Sequence, residues 1–172
     1  MYQQNMTKYY IVLGFLITVV LFYSCRKDAE PETFLIPNNY EGAIVLLFDQ
    51  NDGLDEEYSE GRRIYRVEQN GLLKTQFSKT KHGRLDQDYY YIDSLGVRTQ
   101  VLEVFDFGNS NPGTNYVMNG IYGMFTNNED STLNIYPIDY SMFTIGKSED
   151  KDSLQVVGDR YIEKVQYHIT QQ

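Results

Sequence analysis

From Phe34 onward the chain alternates short apolar runs with clusters of Gly, Asn and Asp, the punctuation of an all-β domain. Ala43 to Phe48 (A-I-V-L-L-F) is apolar without a break between Gly42 and an acidic stretch, the pattern of a strand buried on both faces. Arg62 to Val67 (R-R-I-Y-R-V) and Leu72 to Phe77 (L-L-K-T-Q-F) read as strands joined through Asn70-Gly71. That dipeptide tolerates positive φ at both positions, so it predicts a hairpin. Tyr89 to Ile92 and Val97 to Val104 flank Ser94-Leu95-Gly96 and predict a second one. Gly108 to Gly120 is rich in turn formers and reads as a long surface loop, and Ile121–Thr126, Leu133–Tyr136 and Met142–Ile145 read as further short strands. In the tail, Leu154, Val157, Ile162, Val165 and Ile169 approximate one helical face, while Tyr161, Val165, Tyr167 and Ile169 also fit strand alternation. The helical reading is preferred. Together these elements predict a mostly β fold: an antiparallel β-sandwich with a short C-terminal helix, preceded by an N-terminal apolar signal helix.

The start of the chain follows a different pattern. Met1 to Lys8 is polar with one cation, and Tyr9 to Phe22 is continuously apolar. That run falls short of the ~20 residues that cross a bilayer comfortably, and it matches the charged start and apolar centre of an export signal. A start at Met6 gives the tidier signal. The run ends L-F-Y-S-C-R-K-D, with Ser24 ahead of Cys25, the single cysteine of the chain. This resembles the cleavage site of bacterial lipoproteins, in the looser form found in Bacteroidota, where the cysteine becomes the lipidated first residue. The alternative is an uncleaved anchor helix. The expected organisation is therefore a signal peptide over 1–24, a lipidated cysteine and tether over 25–33, and one domain over 34–172. The expected site is the cell envelope, as an outer-membrane lipoprotein held to the membrane through acylated Cys25.

Charge and cysteine content narrow the function classes. The chain has 15 Lys plus Arg against 24 Asp plus Glu, a net charge of −9. Lys8 is the one charged side chain ahead of Cys25, so cleavage leaves a still more acidic domain. A field of that sign disfavours nucleic acid and anionic headgroups and tolerates cationic ligands. With Cys25 committed to lipid, neither a disulfide nor a thiol nucleophile is available, and stability must come from packing.

Three stretches carry a family likeness: F-L-I-P-N-N-Y-E-G-A-I-V-L-L-F-D-Q-N-D-G (Phe34 to Gly53), G-R-R-I-Y-R-V (Gly61 to Val67) and N-G-L-L-K-T-Q-F (Asn70 to Phe77). They resemble an uncharacterised family of Bacteroidota secreted lipoproteins, a domain of unknown function with the pattern F-x-I-P-x-G-Y-x-G, R-I-Y, G-I-L-x-T-Q. Asn39 stands where that family usually has glycine, and Phe143 to Asp150 (F-T-I-G-K-S-E-D) is similar to its closing motif. The resemblance brings no known activity and therefore implies no catalytic residues. More loosely, I-P-x-x-Y-x-G before a strand is similar to accessory β-sandwich modules such as carboxypeptidase-regulatory-like domains, an analogy of fold alone.

Candidate chemistry is sparse. Asp49, Asn51, Asp52 and Asp55 could supply oxygens to a cation, but a helix-loop-helix calcium site needs glycine sixth, and counting from Asp49, Gly53 comes fifth. A flexible calcium cage remains the cation reading, against that of a solvated hairpin loop. His82 and His168 lack metal-ligand spacing, and a triad of His82, a serine and Asp86 lacks the G-x-S-x-G elbow. Tyr89 to Tyr91 could stack on a sugar ring, with Tyr89 and Tyr91 on one strand face and Tyr90 on the other. The expected function is a non-catalytic accessory or interaction module, without a cofactor, that meets an envelope protein or glycan partner. A ligand-binding module for glycan or calcium is the alternative.

Overall fold

The apolar runs become strands in the computed structural model, which describes residues 29–80, 85–105, 108, 110–126 and 137–169. The N-terminal apolar segment, Cys25, His82 and the strand expected at Leu133–Tyr136 lie outside the described residues. The strands are β1 (Glu32–Pro37), β2 (Gly42–Leu47), β3 (Tyr58–Ser59), β4 (Arg62–Arg66), β5 (Leu72–Lys74), β6 (Gln87–Ile92), β7 (Arg98–Glu103), β8 (Asn115–Phe125) and β9 (Ile138–Lys147). A 3-10 turn, Ser148–Asp150, leads into one long helix, α1 (Lys151–Ile169). No helix among the described residues is long and apolar enough to cross a membrane.

All nine strands join in one sheet, ordered β3-β4-β1-β6-β7-β8-β9-β2-β5. This corrects the expected antiparallel sandwich. β1 pairs in parallel with both β4 and β6, β2 with β5, and β7 with β8. The sheet covers itself by curling. β1 and β9 are four strand spacings apart, ~19 Å along a flat sheet, yet the rings of Phe34 and Phe143 meet edge to face at 5.1 Å. The result is an open half-barrel with a packed interior of Phe34, Ile36, Ile44, Leu46, Tyr65, Tyr89 and Phe143, among others.

β2 shows why its sequence is apolar throughout. Ile44, Leu46 and Phe48 point into the half-barrel, while Val45 and Leu47 point outward against Phe125, Met142 and Val165 of α1. The tail is a helix, as preferred. Tyr161, Ile162, Val165 and Ile169 face the sheet, and Gly158 lets the helix approach Met142, whose Cε would lie 3.1 Å from an added Cβ. Val157, expected on that face, is exposed instead.

The two expected hairpins fare differently. β6 and β7 pair antiparallel through Asp93 to Val97, with Gly96 at φ 82° and the Asp93 carboxylate accepting from the amides of Leu95 and Val97. Asn70-Gly71 does turn the chain, with Gly71 at φ 76° and its N–H donating to the Glu68 carbonyl at 3.0 Å. The strands it joins do not pair: β4 lies near one edge of the sheet and β5 at the other. The expected loop over 108–120 is also half strand, since β8 begins at Asn115 and continues past an irregularity between Met118 and Ile121.

Candidate functional site

Two places concentrate polar groups, one at the seam of the half-barrel and one at its end. The seam is built by the acidic stretch after β2. Its flanks lie in distant parts of the sheet, so it forms no hairpin loop. It wraps the end of β5: on the β2 side the amides of Asp49 and Gln50 donate to the carbonyls of Phe77 and Thr75 at 3.0 and 2.9 Å, and on the outer side the Leu54 amide donates to the Lys74 carbonyl at 2.9 Å. Gln76 N–H returns a bond to Leu54 at 3.0 Å, and the Glu57 carbonyl then accepts from Ile64 of β4 at 2.8 Å. The stretch therefore bridges the two sheet edges that the curl leaves unjoined.

Its carboxylates are shared out among separate partners. Lys74 Nζ donates to Asp52 at 2.7 Å, and that hydrogen bond and charge hold the Asp52 carboxyl below its usual range. Gln76 Nε2 donates to Asp55 at 2.8 Å, and the Ser78 hydroxyl donates to Asp49. Asn51 lies exposed on the turn. Among the described residues, no group of three or more His, Cys, Asp or Glu side chains is placed to hold a metal ion. Past this stretch a cleft of about 490 Å³ opens, with Ile64 and Leu73 in its lining and Glu56, Glu57, Tyr58 and Arg66 around them. Arg66 clasps Glu57 through two bonds of 2.8 and 2.6 Å, and Tyr58 is 51% exposed.

The end of the half-barrel holds a buried polar network that sequence reasoning missed. Glu32 shares a strand face with Phe34 and Ile36, and it is 2% exposed. Gln87 Nε2 donates to one of its oxygens at 2.6 Å and the Tyr65 hydroxyl to the other at 3.3 Å. The same amide donates to the Tyr122 hydroxyl at 2.9 Å and accepts from Tyr89 at 3.1 Å. Burial raises the Glu32 carboxyl above its usual range, against the opposing pull of Gln87 and the neighbouring Arg63. Burial also raises the phenols of Tyr65 and Tyr89, and brings that of Tyr122 to about 12. The network holds protons and ties β1, β4, β6 and β8 together. A carboxylate in period two with Phe34 and Ile36 was the signal available in the sequence.

A pH dependence follows from Glu32. Its proton is held more tightly in the folded state than in the unfolded one, so rising pH favours unfolding. Stability from this group is fully present below the ordinary value of 4.5 and is lost as pH rises through the raised folded value. Glu32→Gln removes the titration. Urea midpoints measured from acid to neutral pH should therefore decline more steeply in the native chain than in this variant; parallel curves would rule the effect out.

Tyr89 and Tyr91 share the inner face of β6, as the alternation requires. Tyr89 is 4% exposed and stacks on Phe34 at 5.1 Å, so its ring is committed to the core. Tyr91 is half-buried; its hydroxyl donates to the Tyr40 carbonyl at 2.8 Å and accepts from Asn115 at 3.1 Å. His168 is exposed near the end of α1, and Asp86 pairs with Arg62 at 3.0 Å.

A family model described as "Family of unknown function (DUF6843)" matches residues 28–154. No curated protein matches the chain. Among solved structures, a 2.75 Å crystal structure described as a "Putative Lipoprotein from Bacillus anthracis" is similar at 17% identity, covering 69% of this chain and 71% of that one with a TM-score of 0.51. At that identity the likeness speaks for the fold.

Proposed function

The chain belongs to the DUF6843 family of unknown function, and from that premise we propose that it is a lipid-anchored, non-catalytic interaction module of the cell envelope. The anchor in this reading is acylated Cys25, which follows the apolar run of Tyr9 to Phe22. Outer-membrane placement and a Bacteroidota origin belong to the same reading. The partner is an envelope protein that presents a basic segment. The observation that carries this is the seam cleft, where Glu56 and Glu57 stand beside the exposed ring of Tyr58 and the apolar Ile64 and Leu73. A half-exposed tyrosine over apolar surface is a rigid anchor with a polar tip, and with Glu57 held by Arg66 it is the Glu56 carboxylate that draws a cationic group toward it. A glycan or calcium ligand is the second reading, favoured by that same exposed ring among carboxylates.

A photoreactive residue at position 58 of the acylated full chain, in its own membrane, should give a discrete protein adduct that Glu56→Arg weakens several-fold. The same residue at position 95, on the distant hairpin, should give none. A sugar-mass adduct at 58 would turn the reading to glycan. Equal adducts at both positions, or none at 58, would overturn it.

A further inference from the structure

We infer that the end of the half-barrel beside Ala29 lies against the bilayer, with Phe105 and Leu102 seated in the lipid surface that holds Cys25. This rests on the acylation of Cys25 proposed above. Only Arg26, Lys27 and Asp28 separate Cys25 from Ala29. Four peptide steps of at most ~3.6 Å keep Ala29 within about 14 Å of the acylated residue. Ala29 is no free end: it is 7% exposed, fixed in the wall of a cleft of about 710 Å³ with Leu85, Gln87, Glu103 and Phe105. A domain held there by so short a leash presents this end to the membrane.

The side chains at that end suit the contact. Phe105 is 84% exposed directly after β7, and Leu102, three positions earlier, is 57% exposed. Large apolar side chains this open to water gain by entering the boundary between headgroups and acyl chains. Asp86 and Asp88 share the Arg62 guanidinium at 3.0 Å, and Arg26 and Lys27 of the leash further offset the carboxylates at this end, so the contact rests on the apolar side chains.

The opposite end supplies an internal control. Leu95 is 87% exposed at the tip of the β6–β7 hairpin, six strand residues or ~20 Å away from Gln87. The chain contains no tryptophan, so Phe105→Trp and Leu95→Trp each create a single reporter. The acylated full chain is placed on vesicles of phosphatidylcholine and phosphatidylethanolamine. Tryptophan at 105 should shift its emission to the blue and be quenched by lipids brominated in their acyl chains, while tryptophan at 95 should do neither. Protein that floats with the vesicles while position 105 stays red-shifted and unquenched overturns the apposition and leaves the anchor standing. A native chain without an acyl group, or a Cys25→Ser chain that floats equally well, overturns the anchoring reading and the apposition with it.

Discussion

Replacing Phe34 with alanine is expected to remove about 3–5 kcal/mol of stability. The ring is 1% exposed and lies 4.9 Å from Tyr65, 5.1 Å from Tyr89 and 5.1 Å from Phe143. These neighbours come from β4, β6 and β9, so the ring joins both halves of the curl at once. Aromatic pairs in these tilted, stacked and edge-on arrangements add ~0.5–1.5 kcal/mol each beyond the area they bury. Denaturant titration of Phe34→Ala and Phe34→Leu should show the larger loss in the alanine variant. A loss below about 1 kcal/mol, far under the range for such truncations, would mean that the curl does not depend on this ring.

Gly53→Ala is expected to be nearly as damaging, though it removes nothing. An added Cβ would stand 2.7 Å from the Thr75 nitrogen and 2.8 Å from the Lys74 carbonyl carbon. Both atoms are backbone and cannot swing aside, so the acidic stretch must lift away from β5. Overpacking of this kind costs ~1–3 kcal/mol, and the upper end applies where the bonds of Gln50, Leu54 and Gln76 are lost together. Hydrogen exchange should report the site directly: those three amides should exchange sooner in the variant while the amides of β9 keep their protection. Unchanged protection at Leu54 and Gln76 would show that the stretch accommodates the methyl group.

These two positions differ in how far the sequence announces them. Phe34 stands in the short apolar run Phe34 to Ile36, which in the sequence carries only a family likeness; the hydrophobic pattern does find the two buried faces of β2, the β6–β7 turn and the sheet-facing side of α1. Alternation gives the face of a strand but not its neighbour. Asn70-Gly71 likewise specifies a turn without naming the strands on either side as partners, which is why a mixed sheet read as an antiparallel sandwich. The site was less legible. Gly53 is conspicuous in D-Q-N-D-G, where it reads as a turn former or as a calcium-loop glycine one place out of register. Its close approach to Lys74 and Thr75 depends on a contact between segments twenty residues apart, which no local pattern encodes. Glu32 was hidden for the opposite reason: an acid inside the charged segment expected as a tether over 25–33 reads as solvated until its strand partners are known, whereas β1 in fact begins at Glu32.

The sheet has only two ends, and both are minimal: β3 is two residues long and β5 three. The free edge of β5 meets the acidic stretch at Leu54, which donates to the Lys74 carbonyl and accepts from the Gln76 amide. Long bare edges template the addition of strands from other molecules. In the membrane-held state proposed above, copies meet in two dimensions and at high local density, where edge-to-edge aggregation is hardest to avoid. The stretch Asp49 to Glu57 thus leaves neighbouring copies little backbone to pair with, and its charge repels those that come close.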